Sequence, residues 1–352
     1  MLVPSPSRRL AAFGVALALA PVARADVLKV PSAQFPTIQS AVDAAVAFDT
    51  IKISPGDYAE SVLVQSKTDL VIRGRGVVRI TESDSSTPLW IKLCQRVTVR
   101  NLRLVDVNGF AGILSDNSTD VTIKNCRVLS SNNAGIWTSL GSDIVILNNR
   151  IENCLGSGIE SSFLTFGPTL GPGSGSVSST YSKNRISACG RGINNTSVGN
   201  EIAKNRIDTV DGFGVQLAPA SQNCTVAKNR VSHSATAFVI DGVFCTIAKN
   251  VVSDTLDGHG FEIRGDALDV SKCRARRTSA DGFLFEASAS GNTIEKCSSK
   301  RAGEVGFHVF GTSNGFTKCA AKKSASFDLN DGAGGATTNT YTDCKFGTTN
   351  LP

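Results

Sequence analysis

The stretch Ile202-Ala203-Lys204-Asn205-Arg206-Ile207 decides the fold, because its pattern recurs along the chain. The pattern is an apolar residue, two spacers, Asn or Cys, one spacer and a second apolar residue. Indexed by the fourth residue, the copies fall at Leu102, Cys126, Asn149, Asn184, Asn205, Asn229, Asn250, Cys273, Cys297, Cys319 and Cys344. Successive copies are 21–25 residues apart, except for one step of 35 between Asn149 and Asn184. Self-similarity at a fixed period marks stacked repeats, each of which buries its apolar face only against its neighbours.

A second column shares that period: Ile113, Ile136, Ile159, Ile193, Val215, Phe238, Phe261, Phe283, Phe307 and Phe327, most of them preceded by Gly. Two columns in phase predict an all-β, three-faced solenoid of about 11–12 coils. The two apolar ends of each copy point inward from separate strands. Between them Lys204-Asn205 makes a corner, with Asn turned into the stack. Asn149, Asn184, Asn205, Asn229 and Asn250 then form an asparagine ladder, since Asn tolerates left-handed backbone and its amide bonds the coils above and below. The switch from Ile to Phe in the second column reads as volume-compensated core.

The ten cysteines follow the same logic. An even count in an exported chain ordinarily suggests disulfides. Yet Cys126, Cys273, Cys297, Cys319 and Cys344 take the inward corner position, and Cys154/Cys189 and Cys224/Cys245 recur one coil apart. That spacing favours stacked, mostly free buried thiols. No CxxC or His/Cys spacing points to zinc. No cofactor is evident, and calcium, which glycan chemistry could use, has no motif behind it.

Residues 1–25 read as a signal peptide: Arg8 and Arg9, an apolar run from Leu10 to Ala20, then Ala23-Arg24-Ala25. The expected location is secreted, periplasmic or cell surface. The apolar run is too short to span a bilayer, and no later segment is long enough. The formal charge of +6 falls to +3 once Arg8, Arg9 and Arg24 are removed, so overall charge selects no partner. High Gly (33) with low Pro (11) and 19% charged residues suits a β-rich chain. Residues 26–60 are expected to form a cap and first coil, and 61–352 the repeats, with a loop insertion at 163–180. Residues 36–48 are the one convincing helix, with Pro36 at its first position and Ile38, Val42 and Ala45 on one face. An open solenoid end needs such a cover.

The segment FPTIQSAVDAAVAFDTIKISPGDYAESVLV, followed by LVIRGRG, resembles the N-terminal cap and first coils of right-handed parallel β-helix proteins of the pectate lyase-like superfamily. Pectin methylesterases share this opening. The resemblance implies a single-stranded right-handed parallel β-helix. The catalytic Asp pair, Gln pair and Arg of the esterases have no counterpart here, so no esterase residue is carried over. Gly258-His259-Gly260 resembles the GHG element of polygalacturonases, but that family's other elements do not occur in order, and Gly260 is the repeat glycine of its coil.

Function must then come from departures from the repeat and from the outward side chains. The insertion at 163–180 borders the strand holding Ile159 and Glu160, and a flexible ornamental loop is the plainer alternative. The outward residue after each inward Ile or Phe makes a shallow track for an extended polymer, running Leu114, Trp137, Glu160, Asn194, Gln216, Val239, Glu262, Leu284, His308 and Asp328. Trp137 suits sugar stacking, with Glu160, Arg191 and Asn194 as binding partners. Glu262, His259, Arg264, Asp281 and Asp241, with Glu286, offer carboxylates and a base for acid–base work on glycans. A solvated charged face is the bland alternative. Lys204, Lys228 and Lys249 belong to a stripe of seven outward lysines that an acidic polysaccharide could follow. No aromatics interleave with it, which argues against nucleic acid. The expected partner is a polysaccharide or other extended polymer, with pairing through the last coil as a route to oligomers. The alternatives are a non-catalytic surface protein and a periplasmic export accessory factor.

Overall fold

The computed structural model describes residues 25–83, 87–162, 175–333 and 339–350. Residues 1–24 of the expected leader and residues 163–174 of the insertion lie outside the described residues.

The chain winds into a parallel β-solenoid of about 13 turns with three strand rows, faces A, B and C. Face A is a sheet of fourteen strands, from Val27–Val30 to Thr340–Thr342. Faces B and C join into one 23-stranded sheet, because Arg150–Ser161 and Arg185–Asn195 run unbroken around the corner between them. The turn count exceeds the expected 11–12, since the first coils are built without the corner Asn or Cys. Strands pair with their counterparts one coil on, as Glu201–Ala203 does with Thr225–Ala227 and Arg206–Val210 with Arg230–Ser234, with one register shift between Cys154 and Ser157 where Arg150–Ser161 meets Arg185–Asn195.

The ladder is present at the corner between faces A and B. Asn149, Asn184, Asn205, Asn229 and Asn250 are all buried. Each Oδ1 accepts from the backbone N of the preceding ladder residue, and each Nδ2 donates to a carbonyl of the previous coil, as Asn205 does to Tyr181 at 2.8 Å. Where Cys replaces Asn, the thiol donates to the equivalent carbonyl, Cys273 to Ile247 and Cys297 to Val270. All ten cysteines are unpaired.

One detail differs from expectation. The left-handed residue is not the ladder Asn but the one before it, with φ between 54° and 60° at Lys183, Lys204, Lys228, Lys249, Lys272, Lys296 and Lys318. In earlier coils Asn101, Asn125 and Asn148 take that conformation. The corner must bend there, and the bend turns one side chain out and the next one in. A second ladder, missed in the sequence, runs at the start of face A: the Oδ1 of Asn292, Asn314 and Asn339 accept from Leu268, Asn292 and Asn314 backbone N at 2.8, 3.1 and 2.9 Å.

The second apolar column packs inside face C. Its rings Phe238, Phe261, Phe283 and Phe307 stack at centroid distances of 4.8, 4.6 and 4.6 Å. The last inward member is Leu329, paired with Phe307, and not Phe327, which is 39% exposed. The inward column of face B shrinks in step: Ile186 and Ile207, then Val231 and Val252, then Ala275, Ser299 and Ala321. Rings on one wall are thus offset by small residues on the other, keeping core volume constant. The glycines before the column are required by close approach. A Cβ on Gly192 would lie 2.1 Å from the Gly214 carbonyl oxygen.

The N-terminal helix is shorter than expected, Ile38–Ala44, with Thr37 as N-cap in a capping box with Ser40, so Pro36 lies before the cap. The Glu60 carboxylate accepts from Ile38 N and Gln39 N. Gln39 exchanges two hydrogen bonds with the backbone of Leu63, and so covers the open edge of Val62–Gln65.

Candidate functional site

The expected site residues fall on two different surfaces. Trp137, Glu160, Asn194 and Glu262 share face C, with Trp137, Glu160 and Asn194 in register. Lys204, Lys228 and Lys249 lie at the A/B corner, set apart from face C by face B.

Face C is less open than an alternating strand implies. Leu114, Val239 and Leu284 point outward yet are buried. Leu114 packs with Ala111 and Ala134 against Trp90 and Trp137. Trp137 Nε1 donates to the Ser162 carbonyl at 3.1 Å. Trp90, which the sequence reading passed over, pairs in register with Leu114 and carries Lys92 Nζ 4.8 Å above its ring. Glu160 is pinned by Ser157 Oγ at 2.7 Å and Asn194 Nδ2 at 2.8 Å. Arg191 does not join them; its guanidinium lies over the Phe213 ring at 5.1 Å. In the last coil the outward residue is Asn330, paired with His308, so Asp328 does not continue the row.

The five acid–base candidates divide into two groups. Arg264 ion-pairs with Glu262 and reaches Asp241 at 3.4 Å. Glu262 and Arg264 border a depression of about 270 Å³ with Phe213, Gln216 and Thr236. The other group centres on Asp281, whose side chain is 2% exposed. Its Oδ1 accepts from Val305 N at 2.9 Å, and its Oδ2 lies 3.2 Å from His308 Nδ1 and 3.4 Å from His259 Nδ1. His308, unassigned from sequence, thus shares one carboxylate with His259. Asn330 Nδ2 approaches His308 Nε2 at 3.1 Å, which suits a His308 that donates from Nδ1. Burial pulls the His259 pKa down, but Asp281, Glu262 and Glu304 outweigh it and raise it above 6.5. Burial acts to raise Asp281, and the two histidines with Val305 N override it and lower it below 3.8. Held in this way, His259 can give and take a proton. His233, given no role from sequence, pairs with Asp208 on face B at 2.8 Å.

The A/B corner carries cations over nearly its whole length. Lys52, Arg73, Arg100 and Lys124 stack on the A side. Arg79, Arg103, Arg127, Arg150, Arg185, Arg206 and Arg230 stack on the B side. The seven left-handed lysines, all exposed, run between. Glu152 neutralises Arg127 and Arg150, Asp57 pairs with Arg79, and Glu295 with Lys296. Arg185, Arg206, Arg230, Arg274 and the other stripe lysines have no carboxylate within 4.0 Å among the described residues. A groove of about 480 Å³ lies between Lys249, Lys272, Arg274 and Lys296. On face B the Lys300 ammonium is pulled below its ordinary value by Lys322, with Arg301, Lys323 and Arg276 adding to the crowding.

Residues 43–168 match the family model for a right-handed β-helix region, and residues 173–318 match that of NosD, described as a periplasmic copper-binding protein. Among solved structures, the A-module of the mannuronan C-5 epimerase AlgE6 from Azotobacter vinelandii superposes at TM-score 0.62 and 12% identity, covering 90% of this chain and 94% of that one. An α-1,3-glucanase catalytic unit from Streptomyces thermodiastaticus gives 0.55 at 14%, covering 89% and 67%. The surface adhesin PfbA of Streptococcus pneumoniae gives 0.53 at 12%, covering 82% and 87%. At these identities the likeness is one of fold.

Copper would need thiolate, thioether or imidazole ligands gathered about one point. Among the described residues no three His, Cys, Asp or Glu are so placed. The ladder thiols instead run one per coil along the axis, each donating to a backbone carbonyl. The described residues do not fit a copper centre. No helix among the described residues is long and apolar enough to cross a membrane. Strand pairing, ladders, cap and the matching β-helix region agree on the fold: the chain is a right-handed parallel β-helix.

Proposed function

We propose that this protein is exported and binds an extended acidic polysaccharide along the cationic corner between faces A and B. The observation that carries this reading is the column of seven exposed lysines flanked by largely unpaired arginines in register. Coils repeat at about 4.8 Å, so the lysine column is roughly 29 Å long. A linear polyanion laid along it would meet one cation per coil, and each contact would weaken as salt screens it. A matching periplasmic family and a surface adhesin of the same fold support a location outside the cytoplasm.

Processing of the bound chain on face C is a second reading, favoured by the buried Asp281 that holds His259. One experiment tests both. The wild type and a Lys204→Glu/Lys228→Glu/Lys249→Glu variant are passed over immobilised alginate and polygalacturonate at rising salt. Salt-sensitive retention of the wild type, reduced at least tenfold in the variant, is expected. Retention indifferent to salt or to the three substitutions overturns the binding reading. The same incubations are scored for new reducing or unsaturated ends. Ends formed by the wild type but not by His259→Asn support processing, and none formed on any glycan overturns it.

A further inference from the structure

At the N-terminal end of the cationic corner Lys52, Arg73 and Arg100 are half-buried, and Arg75 beside them is exposed. Lys52, Arg73 and Arg100 occupy matching positions on three adjacent face A strands. With Arg75, Gly74 and Asn101 they line a depression of about 390 Å³ that no acidic residue borders. Arginines in neighbouring coils have carboxylates: Arg79 pairs with Asp57 at 3.1 Å and Arg96 with Asp69 at 2.6 Å. Lys52, Arg73, Arg75 and Arg100 have none within 4.0 Å among the described residues. The Nε atoms of Arg73 and Arg100 are moreover buried without a hydrogen-bond acceptor among the described residues.

Two guanidinium donors buried without acceptors, one coil apart, are unfavourable both as unsatisfied polar groups and as like charges. An anion with several oxygens seated in the depression would offset the like-charge repulsion and offer acceptors to the guanidinium groups that line it. Arginine offers paired N–H donors that match phosphate, sulfate and carboxylate oxygens, whereas the lysines of the stripe act as point charges. Gly74 in the floor of the depression lets the next coil stack closely, as the repeat glycines do. A Cβ at Gly74 would lie 2.2 Å from the Asn101 carbonyl oxygen.

We propose that Lys52, Arg73, Arg75 and Arg100 form a binding site for a tetrahedral oxyanion, a sulfate or phosphate group, free or as an ester. For the ester form this rests on the polymer-binding reading, and it then names the acidic polymer as one bearing sulfate or phosphate and not carboxylate alone. The free-ion form stands without that reading.

The test is calorimetric titration of the full chain with inorganic sulfate and phosphate, and with dextran sulfate and polygalacturonate of matched length. The wild type is compared with Arg73→Gln/Arg100→Gln and with the lysine triple variant. One inorganic ion per chain is expected, weakened at least tenfold by the arginine substitutions and unchanged by the lysine ones. Dextran sulfate should bind at least tenfold more tightly than polygalacturonate, with that preference lost in the arginine variant. As a control on folding, the arginine variant should melt at or above the wild-type temperature without anions, since repulsion is removed. Unlike the wild type, it should gain no further stability from added sulfate. No inorganic binding, or equal binding and equal sulfate stabilisation in the arginine variant, overturns the site. Inorganic binding without polymer binding leaves the site standing and removes the polymer reading.

Discussion

Asp281 is the residue on which the chemistry of face C turns. It is buried, charged, and shared between histidines one coil below and one coil above. The pH dependence of its contribution has two limbs. His259 titrates above 6.5 in the folded chain, so its stabilisation is complete below 6.5 and is lost as pH rises through the raised value. Asp281 titrates below 3.8, so its contribution is present above 3.8 and lost as pH falls through the lowered value. Both are complete between those limits. Thermal melts of the wild type and His259→Asn should therefore differ most between those limits, and the gap should shrink as pH rises through the raised His259 value. A gap that widens on the alkaline side would show that His259 is not held as a cation. Asp281→Asn should cost about 3–5 kcal/mol, because it leaves the backbone N of Val305 and two imidazoles poorly matched.

At the scale of the element, the ladder explains why a run of Asn and a run of Cys can share one position. The Asn205 amide donates to Tyr181 O and Asn229 Oδ1, and its oxygen accepts from Asn184 N and Nδ2. Asn205→Ala strands a buried N–H and a buried carbonyl, and is expected to cost about 2–4 kcal/mol in urea denaturation. The Cys297 thiol makes only weak contacts, at 3.5 Å to the equivalent carbonyl of Val270 and at 3.6 Å to that of Glu295. Cys297→Ala should cost about 1 kcal/mol, most of it lost packing. Equal costs would mean that volume, and not hydrogen bonding, governs the position. The Phe stack obeys the opposite rule. There volume does govern, and the small residues Ala275, Ser299 and Ala321 on face B make room for the rings.

The whole molecule is a column in which each coil meets only its neighbours, so its ends and its edges decide how it behaves. The helix Ile38–Ala44 closes the first coil through Ile38, Ala41 and Val42. Val42→Asp should undock this cap and expose the Val62–Gln65 edge as a template for a second chain. Light scattering is expected to show concentration-dependent association in the variant alone. A variant that stays monomeric like the wild type would mean the edge is protected by something other than the helix. The A/B corner works at this scale too. Its cations come from coils far apart in sequence, and only the stacking makes them one surface.

The period, the three faces, the inward ladder, the buried thiols and the existence of a cap are all legible in the sequence. These follow from alternation within strands and spacing between coils, which a linear chain displays directly. It also placed the lysine stripe, because one lysine per period is visible as a column. The rest depends on how the coils stack in three dimensions. The last column member moved from Phe327 to Leu329, because a coil of slightly different length hides its own register. The left-handed bend moved from Asn205 to Lys204, because an unfavourable backbone angle imposed by stacking overrides residue preference. His308 joined His259 on Asp281, Arg191 left Glu160 for Phe213, and Arg73 met Arg100 in one depression. Those pairings depend on how far each side chain reaches across a coil, and the period carries no record of that.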